Sequence, residues 1–219
     1  MNSNPSRWRQ PVARFLCGFA IIYGLLILPW PGLGETYGRH FREICRLAFS
    51  GDGGRLLVRF APMATGSRHP IDTQIALANR DQLDRNSIGP AVILGVSSRR
   101  AGWLPAVLTA ALILATPVAW RRRAWALLGG LLLIHGFTLC FVGIYIWNNS
   151  AGLGLVSFTP FWKQVAMGVE QTLTQSGANF AVPVLVWMLV IFRRQDFAGI
   201  PGAMAVGSDE RRVAGKTRD

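Results

Sequence analysis

GWLPAVLTAALILATPVAWRRRAWALLGGLLLIHGFTLCFVGIYIW, residues 102–147, is the stretch whose reading decides the fold. Two apolar runs, 102–120 and 124–147, are separated only by Arg121, Arg122 and Arg123 and edged by Trp120 and Trp125. A bilayer core takes about 20 apolar residues as a helix. Each run therefore reads as a transmembrane helix, and the pair as a hairpin whose turn is 121–123. Short Arg-rich loops stay on the cytoplasmic side, and Trp settles at the headgroup level. Arg121, Arg122, Arg123, Trp120 and Trp125 are thus assigned to topology and headgroup contact, as are Arg99 and Arg100 ahead of the first run.

Working outward, residues 12–30 and 177–192 supply two further apolar runs. The expected fold class is a mainly α membrane protein with four transmembrane helices, N-in and C-in, and a small α+β external module between the first two. The cationic ends agree: Arg7, Arg9 and Arg14 near one terminus, Arg193, Arg194, Arg211, Arg212, Lys216 and Arg218 near the other. Segment 1–11 is then cytoplasmic, as is the polar, Gly-containing tail 193–219, which has the composition of a disordered segment. A cleaved signal peptide is the alternative for 12–30, but its exit, PWPGLGE, lacks a small-x-small cleavage pattern.

Composition points the same way. The 219 residues carry a net charge of +12, yet only 16% are charged and 51% are hydrophobic. Nucleic-acid-binding domains hold far denser charge, so no nucleic-acid partner is expected. Cys17, Cys45 and Cys140 form no CxxC and no close pair, which excludes a disulfide framework and a cysteine zinc site.

Residues 31–101 hold ten arginines and six acids. The segment exceeds the roughly 60 residues over which the positive-inside bias operates, so it reads as a translocated periplasmic module. Tyr37, Phe41, Ile44, Cys45 and Ala48 recur at helical spacing, which predicts an amphipathic helix over 35–49. Strands follow at about 55–60, 71–78 and 91–97; in the second, Ile71, Thr73, Ile75 and Leu77 alternate with Asp72, Gln74 and Ala76. One helix and three strands make too small a core, so the module is expected to pack on the membrane helices or on a partner. In the second external segment, 148–176, Thr159-Pro160 opens an interfacial helix over about 160–175.

Two stripes of small residues at helix-packing spacing stand out: Ala13, Cys17, Ala20 and Gly24 on the first helix, and Gly129, Gly136, Cys140 and Gly143 on the third. They read as seams for close helix approach, within the chain or with another protein. His135 is the one ionisable residue deep in an apolar run. Such residues raise a functional question, yet a neutral histidine bonded to a threonine or a backbone carbonyl is preferred over a proton or metal pathway. His69, Asp72, Asp81 and Asp84 match no ligand spacing, and aspartates in turns serve the backbone. No catalytic residue, metal site or cofactor is expected; no GxSxG, HExxH, P-loop or GxGxxG occurs.

The anchor helix, the strand-bearing external segment and the passage AVILGVSSRRAGWLPAVLTAALILATPVAWRRR, residues 91–123, resemble small membrane proteins that accompany bacterial exosortases. The likeness covers about 12–193 in outline. It implies an accessory role beside a sorting enzyme in a Gram-negative inner membrane. Exosortases use a Cys, Arg and His set in a longer chain with more spans, so no catalytic residue is carried over. The expected function is a non-enzymatic inner-membrane scaffold that positions a membrane-protein partner. The alternatives are a small enzyme or carrier using His135, and a sensor of an envelope ligand.

Overall fold

The computed structural model describes residues 6–28, 30–51, 54–63, 71–83, 89–154 and 177–192, together with 159, 161, 162, 164, 165, 167, 168 and 171. In chain order these form α1 (Ser6–Ile27), α2 (Leu33–Phe49), β1 (Leu56–Pro62), β2 (Thr73–Asn79), β3 (Ala91–Val96), a π-helical turn (Arg99–Trp103), α3 (Leu104–Ala115), α4 (Trp120–Ser150) and α5 (Ala178–Ile191).

Four transmembrane helices are not what the chain builds. Among the described residues only α4, with 31 residues, is long and apolar enough to cross a membrane. The apolar parts of α1 and α5 shrink to Val12–Ile27 and Phe180–Ile191. The run 102–120 yields a helix of 12 residues, α3, about 18 Å long against a hydrocarbon core of about 30 Å. Its shortening has two local causes. The first residues of the run are spent in the π-helical turn, and Pro117 forces Thr116 out of the helix, to φ −70° and ψ 128°.

The reversal between α3 and α4 is also displaced. The chain turns at 116–119, and Arg121, Arg122 and Arg123 belong to the first turn of α4 rather than to a loop at 121–123.

β1, β2 and β3 form an antiparallel meander in the order β1-β2-β3. β1 runs against β2 from Leu56↔Asn79 to Pro62↔Thr73, and β3 from Val96↔Thr73 to Ala91↔Ala78. Strand alternation does the rest: Thr73, Ile75, Leu77 and Asn79 are buried, while Gln74, Ala76 and Ala78 face outward and are only half-covered. The buried face is closed by Phe41 and Cys45 of α2 and by Val142 and Ile146 of α4, with Leu153 just beyond.

α4 is therefore shared by two hydrophobic cores. Its C-terminal half is the spine of the α+β module. Its N-terminal half packs Ala126 and Ile134 against α3 and α5 through Ile113, Ala106, Val186 and Ile191. α3 is the centre of this helical layer, buried along Val107, Leu108, Thr109, Ala111, Leu112 and Ile113. α1 lies on its other side, where Phe15 stacks on Trp187 of α5 at 6.0 Å between ring centroids. Large apolar side chains on the outside of this layer, among them Trp125, Leu128 and Leu132 of α4 and Leu185 and Leu189 of α5, remain exposed.

Candidate functional site at the junction of module and helical layer

Where α2, the sheet and the start of α3 meet, polar groups knit the two layers together. Asp72, one residue ahead of β2, receives a hydrogen bond from the Ser98 backbone N–H at 2.7 Å and another from the Ser98 hydroxyl. Ser98 opens the π-helical turn that feeds α3. The carboxylate thus satisfies an N–H at a helix start, where negative charge is favoured. α2 comes close enough to make room for it: a Cβ on Gly38 would stand 2.9 Å from Asp72 Oδ2 and 3.3 Å from Arg42 Nη1. Arg42 also donates to the Asp72 carbonyl at 3.5 Å.

One turn earlier in α2, Tyr37 stands edge-on to Trp103 at 5.2 Å, and its hydroxyl occupies the space a side chain at Gly102 would need. Thr138 of α4 shares its hydroxyl proton between the carbonyls of Ile134, at 2.9 Å, and Ala101, at 3.1 Å. Burial, and secondarily the electrostatic effect of Cys45, pushes the Tyr37 phenol well above its ordinary range. Burial alone pushes the Cys45 thiol up to about 12.

Between α2 and α4 lies a small cleft with room for about one water, lined by Tyr37, His40, Phe41, Ile44 and Cys45 on one side and His135, Thr138 and Leu139 on the other. Sequence order sets His40 and His135 in different regions; the fold brings both to this cleft. His135 Nδ1 lies 2.8 Å from the Leu131 carbonyl. A carbonyl only accepts, so Nδ1 is the donor of this bond. The residue sits where α4 passes beneath α2, at the junction of the layers rather than in the middle of the helical one. Among the described residues no group of three or more His, Cys, Asp or Glu could hold a metal ion.

The arginine triplet has a structural task beyond charge. Arg122 donates to the Ile191 carbonyl at the end of α5. Arg123 donates to the carbonyls of Thr116, at 3.0 Å, and Val118, at 3.4 Å, and lies over the Trp120 ring at 5.8 Å. Arg121 and Trp125 are exposed. Arg99 reaches the Ile27 carbonyl at the end of α1 at 3.4 Å, and Arg100 is exposed beside it.

The small-residue stripes lie mostly on the outside of this chain. Ala13, Cys17, Ala20, Gly136 and Cys140 are exposed, and nothing approaches a Cβ placed on Gly24 or Gly136 within 4 Å. Gly129 meets only Val190, at 3.9 Å, whereas Gly143 takes the ring edge of Phe49 at 3.3 Å. The close approach between helices falls on Gly130, where a Cβ would meet Ile113 Cδ1 at 2.8 Å and Thr109 Cγ2 at 3.2 Å. Its signal was present in the sequence as the second half of a Gly-Gly pair.

Asp81 forms an exposed ion pair with Arg55. His69, Asp84, the terminal segments 1–5 and 193–219, and most of the helix expected at 160–175 lie outside the described residues; Phe161, Trp162, Val165 and Met167 of that stretch are helical and exposed. Comparison of the chain with protein-family models, with curated proteins and with solved structures found no match.

Proposed function

We propose that this chain is a non-enzymatic accessory protein of a bacterial inner membrane that holds a small external α+β module in a fixed pose for a protein partner. The observation that carries the proposal is the continuity of α4. One helix is both the apolar element able to cross a bilayer and the spine of the module's core. A module whose core is completed by such a helix cannot swivel on a linker, which suits positioning better than turnover.

Low burial supports the membrane assignment. The most apolar 18-residue stretch of α4 is only 22% buried within the chain, unlike the core helix of a soluble protein. Arg121–Arg123 lie at one end of α4 and the module packs on the other, with α3 running back along α4 between them. The partner class implied by the resemblance of residues 12–193 is an exosortase-type sorting enzyme. No cofactor or nucleic acid enters this account.

A second reading, a small enzyme or carrier working through His135, draws on the cleft that His135 and His40 both line. The experiment that separates the two is His135→Phe in the native host. The accessory reading expects unchanged function and an unchanged set of crosslinked proteins. Complete loss of function with normal abundance and folding would overturn it, as would crosslinking that recovers only copies of this chain.

A further inference from the structure

The two edge strands of the sheet are defended very differently. β1 carries the exposed Arg59 at mid-strand and ends on Pro62. A charge and a proline are the devices by which edge strands refuse further pairing. β3 reads Ala-Val-Ile-Leu-Gly-Val over Ala91–Val96, with neither. Its inner edge is taken by β2, and among the described residues no hydrogen bond from outside the sheet reaches residues 91–96. Ile93 is 64% exposed, flanked on the same face by exposed Ala91 and Gly95 and backed by Ala76 and Ala78 of β2. The result is a flat, uncharged edge with open main-chain groups.

Two arginines stand at one end of this edge. Arg99 and Arg100, both exposed, follow directly beyond the Val96 end. Among the described residues, Glu43 pairs with Arg46, Asp81 with Arg55, and Asp72 accepts from Ser98.

We propose that the outer edge of β3 accepts an extended segment of the protein partner as a fourth strand, a segment apolar at alternate positions and acidic where it passes Arg99 and Arg100. The inference rests on the accessory-protein reading and specifies its contact. Main-chain hydrogen bonds supply the affinity of such an addition, and the side chains on either side of Ile93 read alternate residues of the incoming strand. Charge argues against a second copy as the occupant. A second copy carries the same Arg99 and Arg100 and no acidic residue within its own β3 to meet them.

The test places a photo-crosslinking amino acid at Ala91, Ile93, Arg59 or Leu47, all exposed positions, in the full chain in native membranes, and identifies the captured peptides by mass spectrometry. The expected result is capture of one acidic-flanked segment of one other protein from Ala91 and Ile93 and not from Arg59. Arg100→Glu should lower that yield about tenfold, the weight of one good interface residue. Capture of a partner from Arg59 or Leu47 but not from Ala91 or Ile93 would overturn strand addition and leave the accessory reading standing. An unchanged yield with Arg100→Glu would remove the acidic flank. Capture of nothing, or only of a second copy of this chain, would overturn both the strand addition and the accessory reading.

Discussion

Arg122, in the first turn of α4, donates its guanidinium hydrogen to the carbonyl oxygen of Ile191, the last residue of α5. The last four carbonyls of a helix lack partners within it and form its negative end. Arg122 caps the end of α5, and Arg123 caps the turn that follows α3, through the Thr116 and Val118 carbonyls. Arginines in the first turn of their own helix face its positive end, an unfavourable placement that these caps offset.

Arg122→Leu should therefore cost about 1.5–3 kcal/mol, the range for a hydrogen bond to a charged group, measured by denaturant unfolding in detergent micelles. The exposed Arg121→Leu should stay within about 0.5 kcal/mol. Equal effects at both positions would mean that the triplet acts only as bulk charge.

Asp72 links β2 to the start of α3 through Ser98, 26 positions away in the chain. Asp72→Ala leaves the Ser98 N–H and hydroxyl without their acceptor, at a cost of about 1–3 kcal/mol. Asp72→Asn keeps one acceptor oxygen and should lose about half as much. A loss confined to α3, with the sheet still protected in hydrogen exchange, is the expected signature; an unchanged exchange pattern for α3 would refute the capping role.

How much of this could be read from the sequence divides along locality. Alternation at Ile75 and Leu77 marks β2, and the spacing of Phe41 and Cys45 marks the inner face of α2, because each depends only on near neighbours. The helix count failed where apolar content was taken as span length. Pro117 ends α3 at Ala115, and Val142 and Ile146, as apolar as any lipid-facing pair, serve the module's core instead. Composition cannot tell a methyl group that meets lipid from one that meets a sheet. The stripes at Cys17 and Gly136 had the right spacing yet face outward, while Gly130 carries the tight contact. Nor does spacing along the chain reveal that α2 lies over α4, which is what sets His40 and His135 on the same cleft.

The glycine contrast gives the next prediction. Gly130→Leu must displace Ile113 and Thr109 and should destabilise by about 1–3 kcal/mol. Gly136→Ala enters open space on an exposed helical face and should be neutral or stabilise by up to about 1 kcal/mol through helix propensity. Thermal unfolding of the two variants side by side checks this, and the reverse order would contradict the packing of α3 on α4.

Cys45 sets a pH dependence. Burial raises its thiol from an ordinary 9.0 to about 12 in the fold. Between these values the unfolded chain releases a proton that the folded chain keeps, so stability falls as pH rises. The contribution is intact below about pH 9 and is lost as pH climbs through about 12. Unfolding free energy should decline over that window, and Cys45→Ala should flatten part of the slope while lowering stability at neutral pH. The same burial predicts that Cys45 resists maleimide at pH 8 until the protein is unfolded; rapid labelling of the folded chain would contradict it.

The central claim is that α4 belongs to lipid over roughly its first 20 residues and to the module's core beyond them, through Val142 and Ile146. Spin labels placed singly at Trp125, Leu128, Leu132 and Ile93 of the full chain in proteoliposomes, read by power saturation with oxygen and with a water-soluble nickel chelate, test it directly. The account predicts high oxygen and negligible nickel accessibility at Leu128 and Leu132, with Trp125 intermediate and Ile93 open to nickel. Nickel accessibility at Leu128 and Leu132 equal to that at Ile93 would contradict it.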